Sequence, residues 1–417
     1  QLGLSVTVDF DGFVPCFDGK TMSKMAVKKG DVLHVFDKSL PFGLKTSVSS
    51  FCAVTTVIRD AVRELLMDKV AGRVKVLCYV DDYVLLGDPS AVRDGIRVLR
   101  TFLEKVGLPE NELKSQTPGP MGQYLGVDYD LRNPSAVTAT LPADKKVRYV
   151  KHLKYYIGKA QLSADGILVL TRKELQSVVG KLAHAAYIFG AGRPFYQRLL
   201  QLLRGSPKKG VVLSPGCVDD MIWWVEVLEK HSGSVLLNPA QRVVKVYTDA
   251  STTTGYGVIC RGEYFWGEWS QEVRDLLASF ELTINEAELV ALNFAMETFG
   301  EKLRGCHVVF RCDNMACVSN IKSMSSKQPV RNTLLRRLYG IAAYYGIDIS
   351  STYINTKDNV HADSLSRGDM STFFSLPQNY PLFQVQSPNL TAMALLTDPM
   401  GSADLSTPQR LAENGWK

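Results

Sequence analysis

The chain has 417 residues, of which 46% are hydrophobic and 22% charged, and its net charge is +6 at neutral pH. This composition is typical of a globular protein with a sizeable core. It excludes a disordered or fibrous chain, and at this length it predicts two or three domains. The mild positive charge suits a surface that is locally basic for a polyanion rather than a polybasic tail.

The cysteines and the apolar runs indicate where the protein resides. The eight cysteines form no Cys-x-x-Cys pair, so we expect reduced thiols rather than disulfides or a zinc site. The sequence contains no recognisable signal peptide and no apolar run long enough to cross a bilayer. The expected location is intracellular, either cytoplasmic or nuclear, with no membrane partner.

Two adjacent carboxylates lie between two apolar runs near the start of the chain. Residues 74–78 and 83–87 flank Tyr79-Val80-Asp81-Asp82 and predict a β-hairpin with both flanks buried. Strands are depleted in Asp, and neighbouring like charges repel each other. The pair therefore indicates a divalent cation that aligns a triphosphate. A solvated Asp-Asp turn is the alternative.

The hairpin resembles the active site in the palm domain of reverse transcriptases, which carries Tyr-x-Asp-Asp at its tip. Four other stretches are similar to motifs of that family and follow its order. They are Val8 to Phe13 with the first catalytic Asp, Leu40 to Phe51 behind the incoming nucleotide, Gly107 to Lys114, and the primer grip Gln123-Tyr124-Leu125-Gly126. Val48 departs from the pattern, because the family usually has Pro there. The resemblance implies a palm over residues 1–135.

The same resemblance assigns roles to individual residues. Asp9, Asp81 and Asp82 would hold two divalent ions, Mg²⁺ or Mn²⁺. Lys114 would act on the leaving pyrophosphate, with an exposed loop lysine as an equal alternative. Substrate contacts are implied for Phe13, Val14, Phe42, Gly43, Tyr79, Tyr124, Leu125 and Gly126. Val14 stands where the family usually has an aromatic residue beneath the sugar, so weaker exclusion of ribonucleotides is expected. The implied substrates are an RNA template, a DNA primer and deoxynucleoside triphosphates.

Helical patterns surround and follow the hairpin. The first predicts a helix with five apolar residues on its buried face: Phe51, Val54, Ile58, Val62 and Leu65. A second helix is expected to be capped by Ser90. Residues 136–240 are largely helical and basic, and they look like the thumb and connection of a retroelement polymerase. Their basic side chains would follow the phosphates of a template–primer duplex, with a solvated helix face as the alternative.

A second set of carboxylates begins after residue 240. Its members are Asp249, Glu288, Asp313 and Asp363. Asp249 and Asp313 each end an apolar run, whereas Glu288 and Asp363 fall in helical patterns. Taken singly, each is more often a solvated surface group. Converging on one spot, they would repel one another without cations, so two divalent metals are indicated.

This series of strand-end Asp, helical Glu, strand-end Asp and helical Asp resembles ribonuclease H. The resemblance implies a ribonuclease H-like α/β domain over residues 241–368. There the four carboxylates would hold two Mg²⁺ or Mn²⁺ ions and activate a water against the RNA of an RNA–DNA hybrid. Glu288 is preferred over Glu286, because Glu-Leu-x-Ala is how the family's helix reads. His361 is expected to frame Asp363 rather than to bind metal.

Together these patterns predict an α/β multidomain protein. It would consist of the palm, the thumb and connection at 136–240, the ribonuclease H-like domain, and a linker or tail at 369–417. Only eight residues precede Asp9. We therefore expect either a truncated genomic copy or a fragment of a polyprotein whose remainder supplies the fingers upstream, with a recombinase or an integrase as the downstream candidate. Leu-Gln-Ser-x-x-Gly-Lys-Leu and Gly-Arg-Pro-Phe are most similar to DIRS-group retrotransposons, with Gypsy-type elements next.

The expected function is that of an RNA-directed DNA polymerase with ribonuclease H activity. Two alternatives remain open. One is a ribonuclease H alone, in which the palm only binds duplex. The other is a non-catalytic nucleic-acid-binding remnant of a decayed element.

Overall fold

The structure is a computed structural model that describes residues 3–7, 11–17, 22–36, 45–70, 72–162, 168–205, 210–230, 233–237, 242–377, 381–388 and 390–397. The chain divides into two compact units, Gln1–Leu125 and Gly126–Lys417. Each unit combines helices and strands, so the predicted α/β class is confirmed. No helix among the described residues is long and apolar enough to cross a membrane.

Among its described residues, the first unit contains seven strands and two helices. They are β1 (Gly3–Thr7), β2 (Gly12–Phe17), β3 (Met22–Val27), β4 (Val32–Phe36), α1 (Lys45–Val70), β5 (Val74–Tyr79), β6 (Asp82–Gly87), α2 (Pro89–Lys105) and β7 (Met121–Tyr124). Three antiparallel pairs form, β1 with β4, β2 with β3, and β5 with β6. The last pair is the predicted hairpin.

One face of the hairpin packs on the two helices, while the other face is open. Val76 is buried together with apolar residues of α1 and α2. On the opposite face Leu77, Tyr79 and Leu86 are exposed. The prediction that both flanks are buried was therefore wrong. The reason is the two-residue period of a strand, which turns alternate side chains away from the helices.

The helices also differ from the predicted pattern in detail. Ile58 and Val62 are buried in α1, but Val54 and Leu65 are exposed, and Leu66 continues the buried stripe instead. The cap of α2 is Asp88 rather than Ser90. Its carboxylate accepts from the backbone N–H of Ser90 at 3.0 Å. Proline is favoured at the first position of a helix, so the capping residue is the one before Pro89.

The second unit begins with a helical part. Its elements are β8 (Val127–Asp130), β9 (Thr138–Thr140), α3 (Ala143–Leu162), β10 (Leu168–Leu170), α4 (Arg172–Ala185), a 3-10 helix (Gly190–Tyr196), α5 (Gln197–Gly205), β11 (Val211–Leu213), α6 (Pro215–Lys230) and β12 (Ser234–Leu236). The helices enclose an aromatic core in which Phe195 stacks on Trp223 with ring centroids 3.8 Å apart. Trp224 packs so closely on Gly192 that a Cβ there would lie 2.4 Å from its ring.

A mixed sheet and the helices around it complete the second unit. The elements are β13 (Val243–Ala250), β14 (Gly255–Cys260), β15 (Glu263–Glu268), α7 (Gln271–Ala278), α8 (Ile284–Phe299), β16 (His307–Cys312), α9 (Met315–Ser323), α10 (Pro329–Tyr345), β17 (Asp348–Tyr353), a 3-10 helix (Thr356–Asp358), α11 (Val360–Ser366), α12 (Met370–Ser375), β18 (Phe383–Gln384) and α13 (Ala392–Thr397). The strand order is β17-β16-β13-β14-β15-β18. β14 runs antiparallel to both neighbours, whereas β13, β16 and β17 are mutually parallel.

Residues 369–417 were expected to form a linker or tail, but part of this segment packs against the sheet. Phe373 of α12 is fully buried against Tyr264. β18 pairs in parallel with β15, and Leu395 of α13 lies in the main core. Polar residues dominate this segment, and a few apolar residues at irregular spacing supply its contacts.

Candidate metal centre

The hairpin tip places the first pair of carboxylates at the surface. Tyr79 faces Asp82 across the strand pair, and Val80 and Asp81 form the turn. Asp81 and Asp82 are both exposed, and Tyr79 is 59% exposed. Val80 has a positive φ of 55°, a conformation that is strained for a β-branched residue. The turn thus places two exposed carboxylates at the tip of the hairpin.

Several predicted palm residues cannot be placed beside this tip. Asp9, Phe42 and Gly43 lie outside the described residues. The backbones of Phe13 and Val14 lie in β2, where they pair with Ala26 and Met25. The predicted triad is thus described only at its two hairpin members.

The remaining palm predictions fall on the loop after α2 and on β7. Lys114 is exposed in a turn. Tyr124 ends β7, and Leu125 and Gly126 both have positive φ, of 50° and 75°. The carbonyl of Gly126 accepts a hydrogen bond from Nζ of Lys145 at 2.9 Å.

The second set of carboxylates is brought together by the mixed sheet. β13 and β16 are parallel neighbours in which Tyr247 faces Arg311. Asp249 and Asp313 each follow these residues by two positions, so both lie at the same edge of the sheet. Asp249 is only 4% exposed, and its backbone pairs with that of Gly257 in β14.

α8 supplies the third carboxylate. Glu288 is 2% exposed. Its Oε2 accepts from the thiol of Cys312, with Sγ 3.6 Å away. Ligand atoms of Glu288, Cys312 and Asp313 all lie within 4.8 Å of one another. A buried glutamate so close to a second carboxylate is a costly arrangement unless positive charge compensates for it.

α11 brings the fourth carboxylate, Asp363, by packing directly on the backbone of β14. A Cβ on Gly257 would lie 2.5 Å from Cβ of Leu365 and 2.6 Å from the carbonyl of Ala362. Only a glycine permits this approach. Asn359, just before α11, also donates from Nδ2 to the carbonyl of Thr248 at 3.1 Å. These contacts hold α11 beside the end of β13.

Hydrogen bonds from neighbouring side chains orient three of the four carboxylates. Oγ of Ser366 lies 2.5 Å from Oδ2 of Asp249. Oγ1 of Thr356 donates to Oδ2 of Asp313 at 2.7 Å. Nε of Arg367 donates to Oδ1 of Asp363 at 2.9 Å. The sequence did not predict a role for Ser366, Thr356 or Cys312. The only feature that could have identified them is that they lie near the predicted carboxylates in the sequence.

Burial and mutual repulsion shift the ionisation of this cluster. Burial, together with the charges of Asp313 and Asp363, raises the pKa of Asp249 to about 7. Burial also raises the pKa of Glu288 well above its usual value, and Cys312, Asp249 and Asp313 add to this effect. Because each carboxylate disfavours the charge of its neighbours, the four groups form one electrostatic site.

Glu286, the other acidic residue at the start of α8, has a different environment. Its Oε2 accepts from the backbone N–H of Thr283 at 2.9 Å, and Thr283 in turn caps the helix. Its Oε1 accepts from Nε of Arg331 at 2.5 Å. These partners lower the pKa of Glu286 against the effect of burial. Glu286 is thus a capping residue, and the geometry favours Glu288 as the member of the carboxylate site.

His361 lies two residues before Asp363 on the same helix. Its ring packs edge-on against Phe373, with ring centroids 6.1 Å apart. Phe373 is part of the apolar cluster beneath α11. The expectation that His361 frames Asp363 stays a prediction.

No family model and no curated protein matches the chain. Among solved structures, the chain is similar to the foamy viral protease-reverse transcriptase dRH in complex with double-stranded DNA, with 18% identity, a TM-score of 0.34, and coverage of 79% of this chain and 52% of that one. It is similar to LC11-RNase H1, isolated from compost and solved in complex with an RNA/DNA hybrid, with 21% identity, a TM-score of 0.25, and coverage of 31% and 99%. RNase H1 from the halophilic archaeon Halobacterium salinarum NRC-1 has 18% identity, a TM-score of 0.23, and coverage of 31% and 98%. The chain spans about half the length of the foamy viral protein.

Proposed function

We propose that the chain cleaves the RNA strand of RNA–DNA hybrids with divalent metal ions, as a ribonuclease H of retroelement type. The observation that carries this proposal is the convergence of Asp249, Glu288, Asp313 and Asp363 from four separate elements. The mixed sheet supports it, because its parallel neighbours β13 and β16 bring Asp249 and Asp313 to the same edge.

The donor set fits Mg²⁺ or Mn²⁺. Carboxylate oxygens are hard ligands, which these ions prefer over thiolate or imidazole. The raised pKa of Asp249 arises from burial and from like charges, and cations placed among the carboxylates would neutralise the like charges and offset the cost of burying the ionised group. When bound, two such ions supply an activated water and neutralise charge at the scissile phosphate.

The chain's own residues contribute orientation and burial. Asp249 and Glu288 are almost completely buried, so little solvent reaches their side of the site. Asp313 and Asp363 are only partly buried and are the more accessible members of the site. Thr356 and Arg367 hold these two carboxylates in place.

The test is cleavage of a labelled RNA–DNA hybrid by the 417-residue chain. We expect cutting of the RNA strand with Mg²⁺ or Mn²⁺, none in chelator, and none in Asp313→Asn. Asp348→Asn serves as the matched control, because Asp348 lies at the other end of the neighbouring strand and contacts His307. Absence of cutting by the folded wild-type chain, or metal-dependent cutting that persists in Asp313→Asn, would contradict the proposal.

The basic surface of α3 supports a nucleic-acid substrate. Arg148, Lys151 and Lys159 are exposed on this helix, and Lys159 lies over the ring of Tyr155 at 4.5 Å. Such side chains bind phosphates without reading sequence. Cleavage is therefore expected to weaken as salt rises, because binding releases counterions.

A second activity, RNA-directed DNA polymerisation with deoxynucleoside triphosphates, is favoured by the hairpin tip alone. Asp81 and Asp82 are exposed there beside Tyr79, as the reverse-transcriptase motif requires. With Asp9 they would hold two ions for nucleotide addition. In a protein that also carries a fingers subdomain, Asp81→Asn should abolish primer extension on RNA and leave hybrid cleavage intact. Extension at the wild-type rate in that variant would refute the polymerase assignment.

The origin that fits both activities is a retroelement polyprotein. The DIRS group is the first candidate and the Gypsy type the second, on the motifs Leu175 to Leu182 and Gly192 to Phe195. The sequence that flanks this chain in its gene would distinguish them. A tyrosine recombinase downstream would support the DIRS group, and an integrase would support the Gypsy type.

A further inference from the structure

The hydroxyl of Ser366 lies inside the carboxylate cluster, and the proposed cleavage does not by itself require it. Ser366 is fully buried in α11, three residues after Asp363. Its Oγ is 2.5 Å from Oδ2 of Asp249 and 2.9 Å from the backbone carbonyl of Asp363. A hydroxyl has a single proton, and a charged acceptor forms the stronger hydrogen bond. Whenever Asp249 is ionised, as it would be beside a cation, Ser366 therefore donates to its carboxylate rather than to the backbone carbonyl.

The position of this hydroxyl is set by the packing of α11 rather than by its own hydrogen bond. Gly257 allows the backbone of α11 to touch β14, and a Cβ at this glycine would lie 2.9 Å from the backbone nitrogen of Ser366. Asn359 attaches the start of α11 to the carbonyl of Thr248, the residue before Asp249. Removing the hydroxyl alone should leave α11 in place.

We propose that Ser366 is a positioning residue that orients the carboxylate of Asp249 for binding divalent cations. A hydrogen bond at Oδ2 fixes the rotation of the carboxylate plane. An ionised carboxylate has about four lone-pair sites, so this bond leaves Oδ1 and part of Oδ2 for a cation. The inference rests on the proposed function, because it assumes that the four carboxylates hold metal.

Neighbouring groups that hydrogen-bond to metal ligands have measurable effects on binding. Their loss typically weakens metal affinity by ~10–100-fold. In Ser366→Ala the carboxylate of Asp249 can rotate, and its alignment must be achieved again whenever a cation binds. We therefore expect weaker metal binding in this variant, with the rate at saturating metal largely retained.

The experiment is a titration of the 417-residue chain with Mn²⁺, monitored by the electron paramagnetic resonance signal of the free ion. Ser366→Ala should bind Mn²⁺ ~10-fold or more weakly than the wild type. Ser364→Ala is the matched control. It removes a buried hydroxyl from the same helix, but that hydroxyl donates to the carbonyl of Val360 at 2.7 Å. The control should bind Mn²⁺ like the wild type.

A second variant and a second measurement keep the inference testable. Ser366→Cys preserves much of the side-chain volume and replaces the hydroxyl with a weak donor, so it should also bind Mn²⁺ more weakly. The Mg²⁺ concentration for half-maximal cleavage should rise in both Ser366 variants, with unchanged melting temperature of the metal-free protein. Wild-type Mn²⁺ affinity in the Ser366 variants, or equal weakening in Ser364→Ala, would overturn the positioning role. A wild-type chain that binds no Mn²⁺ would instead overturn the proposed function.

Discussion

Glu286 and Glu288 lie two residues apart on α8, and their partners separate their roles. Glu286 is hydrogen-bonded to the helix start and to Arg331. Glu288 points among carboxylates and a thiol. A helix turns by about 200° over two residues, which is enough to direct them to different surroundings.

This difference predicts opposite phenotypes for two equivalent substitutions. Glu288→Gln should abolish hybrid cleavage while leaving the fold intact. Glu286→Gln should retain cleavage and lose stability on the order of 1–3 kcal/mol, because Arg331 loses its charged partner. Cleavage assays and urea unfolding of both variants measure this. A loss of cleavage that follows Glu286 instead would show that the wrong glutamate has been assigned.

Asp249 couples the carboxylate site to the stability of the metal-free protein. Its pKa is about 7 in the folded protein, against roughly 3.9 for an unperturbed Asp. Between these values the folded protein holds a proton that the unfolded chain has lost. Its contribution to stability is therefore complete below about pH 4 and is lost as the pH rises towards 7.

We expect Asp249→Asn to remove this pH dependence. In chelator, the free energy of unfolding of the wild type should fall between pH 4 and 7 by at most ~1.4 kcal/mol per pH unit from this group. The variant should show a flatter profile and exceed the wild type at pH 8, while being inactive. Urea unfolding across this pH range measures both. Identical profiles for the two proteins would mean that the burial of Asp249 is not costly.

At the scale of elements, the contact between α11 and β14 is what assembles the site. Gly257 faces Asp249 across the strand pair, and α11 packs on it without an intervening side chain. A shift of α11 would move both Asp363 and Ser366. The geometry of two side chains in the site therefore depends on one glycine.

Gly257→Ala should displace α11. The added methyl would lie 2.5 Å from Cβ of Leu365, so overpacking of about 1–3 kcal/mol and a large loss of cleavage are expected. Gly180→Ala is the matched control, because a Cβ at this position in α4 meets nothing within 4 Å. It should stabilise the protein by about 0.5–1 kcal/mol. Full cleavage by a stable Gly257→Ala protein would contradict this role of α11.

Elements with a strong local pattern were predictable from the sequence, and contacts between distant residues were not. The hairpin, α8 and the strands before Asp249 and Asp313 follow from alternation, spacing and caps. The bond of Ser366 to Asp249 joins residues separated by 117 positions, which no local pattern reveals. The predicted buried face of α1 was wrong at Leu65. A helical period fits both Leu65 and Leu66, and only packing selects which of them is buried.

At the scale of the second unit, a buried ion pair connects the helical part to the sheet part. Asp220 of α6 and Arg336 of α10 are ion-paired and almost fully buried. The guanidinium of Arg336 also lies over the ring of Phe195 at 5.2 Å. Burial raises the pKa of Asp220 to about 7, although Arg336 and Arg198 lower it. Breaking such a pair is costly because it leaves one charge buried alone.

We expect Arg336→Met to destabilise the protein by about 3–5 kcal/mol. The double variant Asp220→Leu/Arg336→Met should lose much less, because it leaves no uncompensated charge. Lys302→Met is the control, since the Lys302–Glu263 pair is mostly exposed and should contribute less than about 1 kcal/mol. Urea unfolding of these variants forms the test. Equal losses in the single and double variants would show that the two charges are not coupled.

The proposed function depends on cations lying among Asp249, Glu288, Asp313 and Asp363. The most direct measurement is anomalous diffraction at the manganese edge from crystals of the 417-residue chain grown with Mn²⁺. We expect anomalous peaks in contact with these four carboxylates, and their loss in Asp313→Asn crystals of the same form. A folded site whose carboxylates are held only by Ser366, Thr356 and Arg367, with Mn²⁺ bound elsewhere or not at all, would contradict it.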